Sequence, residues 1–196
     1  DEVFSYVAGP KDDFLKLISR VNPKQIALNF STSDPASDGL THGMFLKLSE
    51  YLNGTPFADK FISAEQLVSK LRSRKNPQEI KLLKKAADIA CDVWDKVVPK
   101  VKLGMAEKEV AHLIEKSISK RGCTISFDTL VNAGDKTVSG HGLPTHAKLS
   151  AGDLLHVDFG VVYENYCSDI QRLVYFKRPK EKNPPPELLD AFETVN

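Results

Sequence analysis

Residues 151–176 constrain the fold more than any other stretch of this 196-residue chain. Residues 154–162 and 166–176 are rich in β-branched and aromatic side chains, which favours two strands. Only residues 163–165 separate them, so a tight turn must join the strands as an antiparallel hairpin. The sequence therefore predicts a hairpin around which the rest of the chain is organised.

Each predicted strand carries one aspartate. A turn centred on Tyr163 and Glu164 would place Asp158 directly opposite Asp169, with Cβ atoms roughly 4.5–5.5 Å apart. Like charges at that distance repel, and Asp158 also lies in the apolar run 154–159, where a bare charge is costly. A divalent cation would relieve both penalties. The alternative is one aspartate at a strand end and the other hydrogen-bonded to backbone, and the pattern alone leaves both interpretations open because register slips easily.

Composition narrows the class of protein. Hydrophobic residues make up 41% and charged residues 27% of the chain, typical of a globular protein with one or two domains. The net charge of +1 gives no strong attraction to nucleic acid or an anionic membrane surface, and no apolar run approaches the roughly 18 residues of a membrane span. Cys91, Cys123 and Cys167 have no motif spacing and are predicted to be reduced, buried thiols.

The first part of the chain reads as alternating helix and strand. The predicted elements are helices over 12–20 and 40–52, strands over 25–30 and 61–62, and a helix that Ser63 would cap, with Gln66 at capping-box spacing. The basic run 70–75 is interpreted as an exposed linker, since it lacks the interleaved aromatics of a nucleic-acid surface. We place a domain boundary near 72–76.

The second part opens with a strong helix signal. Asn76 at the N-cap, Pro77 at the first position and Glu79 at the third predict a long helix with an apolar stripe from Ile80 to Val97. Further elements are predicted as a helix over 106–121 that Gly122 ends, a strand over 129–133, a loop over 134–150 and a helix over 188–195.

The predicted loop contains the candidate site histidine. Glycine on both sides of His141 gives the backbone latitude and leaves the imidazole open to a ligand. Near a pair of carboxylates, such a histidine could position a substrate or stabilise an anionic intermediate. His112 is interpreted as a core-edge or surface residue and His146 as a loop histidine without a role, while His156 alternates with Asp158 and could share its face of the sheet.

These residues fall within motifs that resemble the creatinase/aminopeptidase ("pita-bread") metallopeptidase family, closest to its Xaa-Pro dipeptidase and Xaa-Pro aminopeptidase branch. The motifs are R-x-x-K-x-P-x-E-I from Arg72, L-G-M-A-E at 103–107, S-G-H-G-L-P at 139–144, A-G-D-L-L-H-V-D-F-G at 151–160 and Y-C-S-D-I-Q-R at 166–172. Asp158 and Asp169 lie eleven residues apart, as do the first two metal ligands of the family, and His141 has the spacing of its substrate-contacting histidine.

The resemblance implies an α/β (α+β) fold, with residues 76–196 as the first half only of a pita-bread catalytic domain. Residues 1–72 would be the C-terminal part of a smaller creatinase-type αβ N-terminal domain. The chain is therefore expected to be a piece, truncated at both ends, of a longer protein, called the parent below.

The resemblance also implies an activity: metal-dependent hydrolysis of an N-terminal peptide bond by a metal-bridged hydroxide, as in an Xaa-Pro dipeptidase or aminopeptidase. Asp158 would hold one of two divalent metal ions, Asp169 would bridge both, and His141 would orient the substrate and stabilise the tetrahedral intermediate. Carboxylate ligands suit manganese, with zinc, cobalt and iron as alternatives. The family takes its other ligands, one histidine and two glutamates, from later in the sequence, so we expect an incomplete metal site and an inactive fragment.

The expected partners are a peptide or dipeptide substrate and, in the parent, a second copy in a homodimer. A cytoplasmic location without nucleic-acid or membrane partners is expected. Two alternatives stay open: a metal-free pita-bread module that binds peptides as a pseudoenzyme, and a creatinase-like amidinohydrolase. The sequence beyond Asn196 would test the pseudoenzyme alternative. A comparison of activity on creatine and on an Xaa-Pro dipeptide would test the amidinohydrolase alternative.

Overall fold

The computed structural model describes residues 3, 5–138 and 140–195. The chain divides into two compact units, residues 1–75 and residues 76–196. None of the helices in the described ranges combines the length and the apolar character that a membrane span requires.

In the described residues, the first unit contains a two-stranded parallel sheet, three α-helices and one 3₁₀ helix, Pro35–Ser37. The α-helices and strands are α1 (Lys11–Val21), β1 (Ile26–Leu28), α2 (His42–Leu52), β2 (Phe61–Ser63) and α3 (Glu65–Ser73). Three aromatic rings pack in series: Phe30 contacts Phe45 with ring centroids 5.6 Å apart, and Phe45 contacts Phe61 at 5.8 Å. The predicted order of helices and strands in this unit is confirmed.

Two predictions for this unit are wrong. Ser63 is not the N-cap of α3 but the last residue of β2, one residue before the N-cap Ala64, although its hydroxyl still accepts a hydrogen bond from the Glu65 amide at 3.1 Å. The basic run 70–75 is not a linker throughout, since α3 continues through Ser73.

The described part of the second unit contains three α-helices, six strands and two 3₁₀ helices, Val98–Lys100 and Gly134–Val138. The α-helices and strands are α4 (Pro77–Val97), α5 (Glu107–Ser119), β3 (Thr124–Ile125), β4 (Leu130–Ala133), β5 (Leu154–Phe159), β6 (Val161–Tyr163), β7 (Tyr166–Cys167), β8 (Ile170–Tyr175) and α6 (Pro186–Val195). Strand β5 lies between β4 and β8 in one antiparallel sheet, and β6 lies between β3 and β7 in another.

The core of this unit lies between the helices α4 and α5 and one face of the strands. Leu155, Val157 and Phe159 alternate along β5 and are each 0% exposed, so they point into this core. The α4 residues of the core are Ala90, Val93, Trp94 and Val97. The predicted apolar stripe of α4 is thus confirmed in its later turns, whereas Ile80 is 43% exposed.

A capping box fixes the start of α4, as predicted. The Asn76 side chain accepts hydrogen bonds from the amides of Gln78 and Glu79, both at 2.9 Å, and the Glu79 carboxylate accepts one from the Asn76 amide at 2.6 Å. These bonds satisfy amide groups that have no partner within the helix.

We expect Asn76→Ala to lower the free energy of unfolding by about 1 kcal/mol, because the amides of the first turn lose their side-chain acceptor. Urea unfolding followed by the fluorescence of Trp94, which lies on the same helix, measures the change. Gln78→Ala, in the same turn, is the matched control and should shift the midpoint much less. Equal effects of the two substitutions would show that the cap contributes nothing.

Candidate metal and substrate site

The turn between β6 and β7 sets the register of the whole hairpin. Its central residues are Glu164 and Asn165, which both have positive φ, 48° and 66°. A two-residue turn with two such residues matches the right-handed twist of the flanking strands, and asparagine adopts this conformation readily. The turn therefore lies one residue later than predicted. In consequence Asp158 pairs with Gln171, and the predicted direct pairing of Asp158 with Asp169 is wrong.

The two aspartates nevertheless interact. Asp169 directly precedes β8, and Asp158 is 7% exposed on β5. Burial raises the pKa of the Asp169 carboxyl, and the neighbouring Asp158 carboxyl raises it further. The register shift thus moves the two aspartates from directly opposite to diagonal positions. The two carboxyl groups remain close enough for the charge of one to affect the other.

Gly160 separates β5 from β6 beside this pair and is closely surrounded. A Cβ atom added at Gly160 would collide with the backbone carbonyl oxygen of Ser168 and with the hydroxyl of Ser126. Ser126 in turn donates a hydrogen bond to the Ser168 carbonyl at 3.0 Å, and the Val161 amide donates one to the Ser168 hydroxyl at 3.0 Å. The absence of a side chain at Gly160, which lies between Asp158 and Asp169 in the sequence, therefore lets the segments around Ser126 and Ser168 pack closely against it.

We expect Gly160→Ala to lower the free energy of unfolding by about 3 kcal/mol or more, because the colliding atom belongs to the backbone and cannot rotate away. Differential scanning calorimetry measures the loss. Gly43→Ala is the matched control, since a Cβ there meets nothing within 4 Å. Equal stability of the two variants would contradict the close packing at Gly160.

The face of β5 opposite the core carries a row of buried polar groups. Asn132 on β4 pairs with His156 on β5, and Asp158 follows two residues along, so the three share one face. Their exposed fractions are 0%, 8% and 7%. The Gln171 side chain donates a hydrogen bond to Asp158 Oδ2 at 3.0 Å. Among the described residues, Asn132 Oδ1, His156 Nδ1 and Asp158 Oδ1 are buried without a hydrogen-bond partner.

These features fit a cation. A buried carboxylate oxygen without a partner among the described residues is costly, and burial together with the charge of Asp158 raises the pKa of Asp169, so a cation would favour the ionised form of both carboxyls. Carboxylate oxygens are the ligands that hard divalent cations prefer. Within the part of the chain that the structure describes, no group of three or more His, Cys, Asp or Glu is placed to hold a metal ion.

His141 lies in the irregular segment of residues 140–145, called the histidine segment, and its side chain is exposed. The Asn132 side-chain amide donates a hydrogen bond to the Gly140 carbonyl at 3.3 Å. Since Asn132 shares its face of the sheet with Asp158, this bond ties the histidine segment to that face.

Glu107 is a buried residue of this region whose role the sequence did not reveal. It is the first residue of α5 and is 0% exposed. Burial opposes ionisation of its carboxyl, but hydrogen bonds from Lys136, from the hydroxyl and amide of Thr145 and from the Ala133 amide outweigh burial, so its pKa lies below the usual value. The motif L-G-M-A-E marks Glu107 only as part of a resemblance, because its partners lie 26 to 38 residues later in the chain.

The lowered pKa of Glu107 predicts a pH dependence. Its contribution to the stability is fully present above the pKa of an unfolded glutamate, about 4.3, and is lost as the pH falls through the lower value of the folded state. Urea unfolding between pH 7 and pH 3 should therefore show a wild-type curve that falls towards that of Glu107→Gln in acid. Parallel curves would contradict the lowered pKa.

The other histidines and the cysteines lie outside this constellation. His112 and His146 are exposed, and His146 Nε2 lies 3.4 Å from Lys108 Nζ, as a surface interpretation expects. The three cysteines are free, as predicted. The expectation that all three are buried is wrong: Cys123 is buried, Cys91 is intermediate and Cys167 is exposed, since it lies on β7 beside the turn.

Solved structures share this fold. The X-Pro aminopeptidase from Thermotoga maritima MSB8 superposes with a TM-score of 0.72 at 28% identity, over 97% of this chain and 50% of that chain. The Xaa-Pro dipeptidase from Bacillus anthracis gives a TM-score of 0.75 at 27% identity, over 97% of this chain and 49% of that one. The fold is therefore that of the pita-bread peptidases, and the chain covers part of the catalytic domain.

The sequence comparisons define the family. Residues 81–196 match the model of metallopeptidase family M24. An uncharacterized peptidase of Staphylococcus aureus (strain bovine RF122 / ET3-1) is 35% identical over 147 residues, which is 74% of this chain and 41% of that protein. The chain belongs to metallopeptidase family M24, and it spans about two fifths of this relative and about half of the solved structures.

Proposed function

We propose that the parent of this chain hydrolyses the N-terminal peptide bond of Xaa-Pro dipeptides or longer peptides with the help of divalent metal ions. The observation that carries the proposal is the buried Asp158, whose Oδ1 has no partner among the described residues, next to Asp169, whose pKa is raised by burial and by the charge of Asp158. Membership of family M24 and the likeness to an Xaa-Pro dipeptidase and an X-Pro aminopeptidase support the same reaction.

Three residues would act in this reaction. Asp158 and Asp169 would hold the cations with their carboxylate oxygens. His141 would donate a hydrogen bond to the carbonyl oxygen of the scissile bond and so stabilise the negative charge that develops there. The exposure of the His141 side chain leaves it accessible to a substrate.

Divalent cations in such a site supply Lewis-acid polarisation of the carbonyl and lower the pKa of a nearby water. Two carboxylates leave most of the coordination sphere of two cations unfilled, so we propose that further ligands come from elsewhere in the parent and that this chain alone is inactive. Manganese is the cation we propose, because oxygen ligands suit it.

We also propose the domain assignment that the resemblance implies. Residues 1–72 would form the C-terminal part of a creatinase-type N-terminal domain, and residues 76–196 the first half of the catalytic domain. A homodimeric parent and a cytoplasmic location are further proposals that rest on the resemblance to the family.

The test is a peptidase assay on the purified parent after chelation and readdition of manganese, with an Xaa-Pro dipeptide as substrate and proline release as the readout. We expect hydrolysis that chelation abolishes and manganese restores. Creatine is the control substrate, since its hydrolysis would indicate the amidinohydrolase alternative. Absence of proline release with manganese, zinc, cobalt and iron alike would contradict the proposal.

A further inference from the structure

The buried carboxylate of Glu107 binds both ends of residues 133–145, a stretch that includes the histidine segment. Before the segment, the Ala133 amide donates a hydrogen bond to Glu107 Oε1 at 2.9 Å. At its end, the Thr145 amide and hydroxyl donate to Glu107 Oε2 at 2.8 Å and 2.7 Å. A single carboxylate thus fixes the two ends of the stretch relative to each other.

Lys136 connects this carboxylate to the middle of the histidine segment. Its ammonium group lies 2.7 Å from Glu107 Oε2 and donates a second hydrogen bond to the carbonyl oxygen of Leu143 at 2.6 Å. Leu143 follows His141 by two residues. The Lys136 side chain is 27% exposed and Glu107 is 0% exposed, so water screens this ion pair only in part.

Gly142 shows how closely the segment is held. A Cβ atom at this position would lie 2.6 Å from Asn132 Oδ1 and 2.7 Å from Lys136 Cε. The backbone directly after His141 therefore rests against Asn132 on one side and Lys136 on the other. Asn132 also binds the Gly140 carbonyl directly before His141.

We propose that Glu107 and Lys136 are positioning residues that hold His141 above the sheet face that carries Asp158. Neither residue needs to touch a substrate: Glu107 acts through Lys136 and Thr145, and Lys136 acts through the carbonyl of Leu143. The catalytic consequence rests on the function proposed above, whereas the placement of His141 does not.

The experiment compares the 196-residue wild-type chain with Glu107→Gln, Lys136→Met and Lys136→Arg. The readouts are the ring resonances of His141 in NMR spectra and the amide exchange rates of residues 140–145. Lys136→Met covers the case in which Glu107→Gln fails to fold, because Lys136 is partly exposed. Lys116→Met and Glu115→Gln, at an exposed and a partly exposed position of α5, are the matched controls.

We expect Lys136→Met and Glu107→Gln to shift and broaden the His141 ring signals and to raise the exchange rate of the Thr145 amide about tenfold, as for the loss of one charge-assisted hydrogen bond. Lys136→Arg should restore the His141 signals, since a guanidinium can still donate to both acceptors. The controls should leave these signals unchanged. Unchanged His141 signals and exchange rates in a folded Lys136→Met chain would overturn the proposal.

Assays on the parent distinguish failure of this proposal from failure of the proposed function. If the parent is a peptidase, Lys136→Met should lower kcat at least about tenfold with little change in KM, because substrate binding is retained while His141 is misplaced. If the wild-type parent releases no proline but Lys136→Met still displaces His141, the proposed function fails and the positioning role stands. A Lys136→Met parent with wild-type kcat would overturn the catalytic part.

Discussion

Replacing Asp158 with asparagine is expected to lower kcat/KM of the parent for an Xaa-Pro dipeptide by more than about 100-fold, a larger effect than the loss of a residue that only supports a metal ligand. The substitution keeps the size of the side chain and an oxygen that Gln171 can still bind, but removes its charge. In the absence of divalent cations the variant should be at least as stable as the wild type, because the repulsion between Asp158 and Asp169 is gone.

The combination of lost activity and retained stability distinguishes a site residue from a structural one. Proline release measures the first and thermal unfolding after chelation measures the second. Asp88→Asn, an exposed residue on α4, is the control and should change neither. An Asp158→Asn parent with wild-type kcat/KM would contradict the role of Asp158.

The second large effect is on stability. Glu107→Ala is expected to lower the free energy of unfolding of the 196-residue chain by about 3–5 kcal/mol, the range found when one partner of a buried ion pair is removed. The substitution removes the carboxylate that Lys136 contacts and takes the acceptor away from the amides of Ala133 and Thr145. Such a loss is a large fraction of the total stability of a typical domain.

Urea unfolding at pH 7, followed by circular dichroism, measures this change. Lys116→Ala, an exposed residue on the same helix, should change the free energy by no more than about 0.5 kcal/mol, as for surface positions without a special contact. If Glu107→Ala also changed the free energy of unfolding by no more than about 0.5 kcal/mol, the buried carboxylate would contribute little to the stability of the fold.

The local parts of the structure were predictable from the sequence. The N-terminus of α4 follows from Asn76, Pro77 and Glu79 because a capping box needs only residues three apart. The hairpin likewise follows from two apolar runs and a short connection. Its register does not, because a turn centred on residues 163–164 and one centred on 164–165 both fit between the strands, and the choice depends on the positive φ of Glu164 and Asn165.

The candidate site was predictable only in part. The pattern marked Asp158, Asp169 and His141 and placed His156 on the face of Asp158, but it did not reveal the Glu107 network, the packing around Gly160 or the buried Asn132 beside His156. Contacts between residues far apart in the chain produce these features. A sequence pattern shows which residue types recur at short spacing, and it carries no signal for a carboxylate whose partners lie 26 to 38 residues later in the chain.

The central claim is that Asp158 and Asp169 together bind a divalent cation. The most direct measurement is a titration of the 196-residue chain with manganese, in which the paramagnetic ion broadens the NMR signals of nearby residues. We expect weak binding that broadens signals around Asp158 and Asp169 first, and loss of this selectivity in the Asp158→Asn, Asp169→Asn double variant. Broadening that begins elsewhere, or that is the same in the double variant, would contradict the claim.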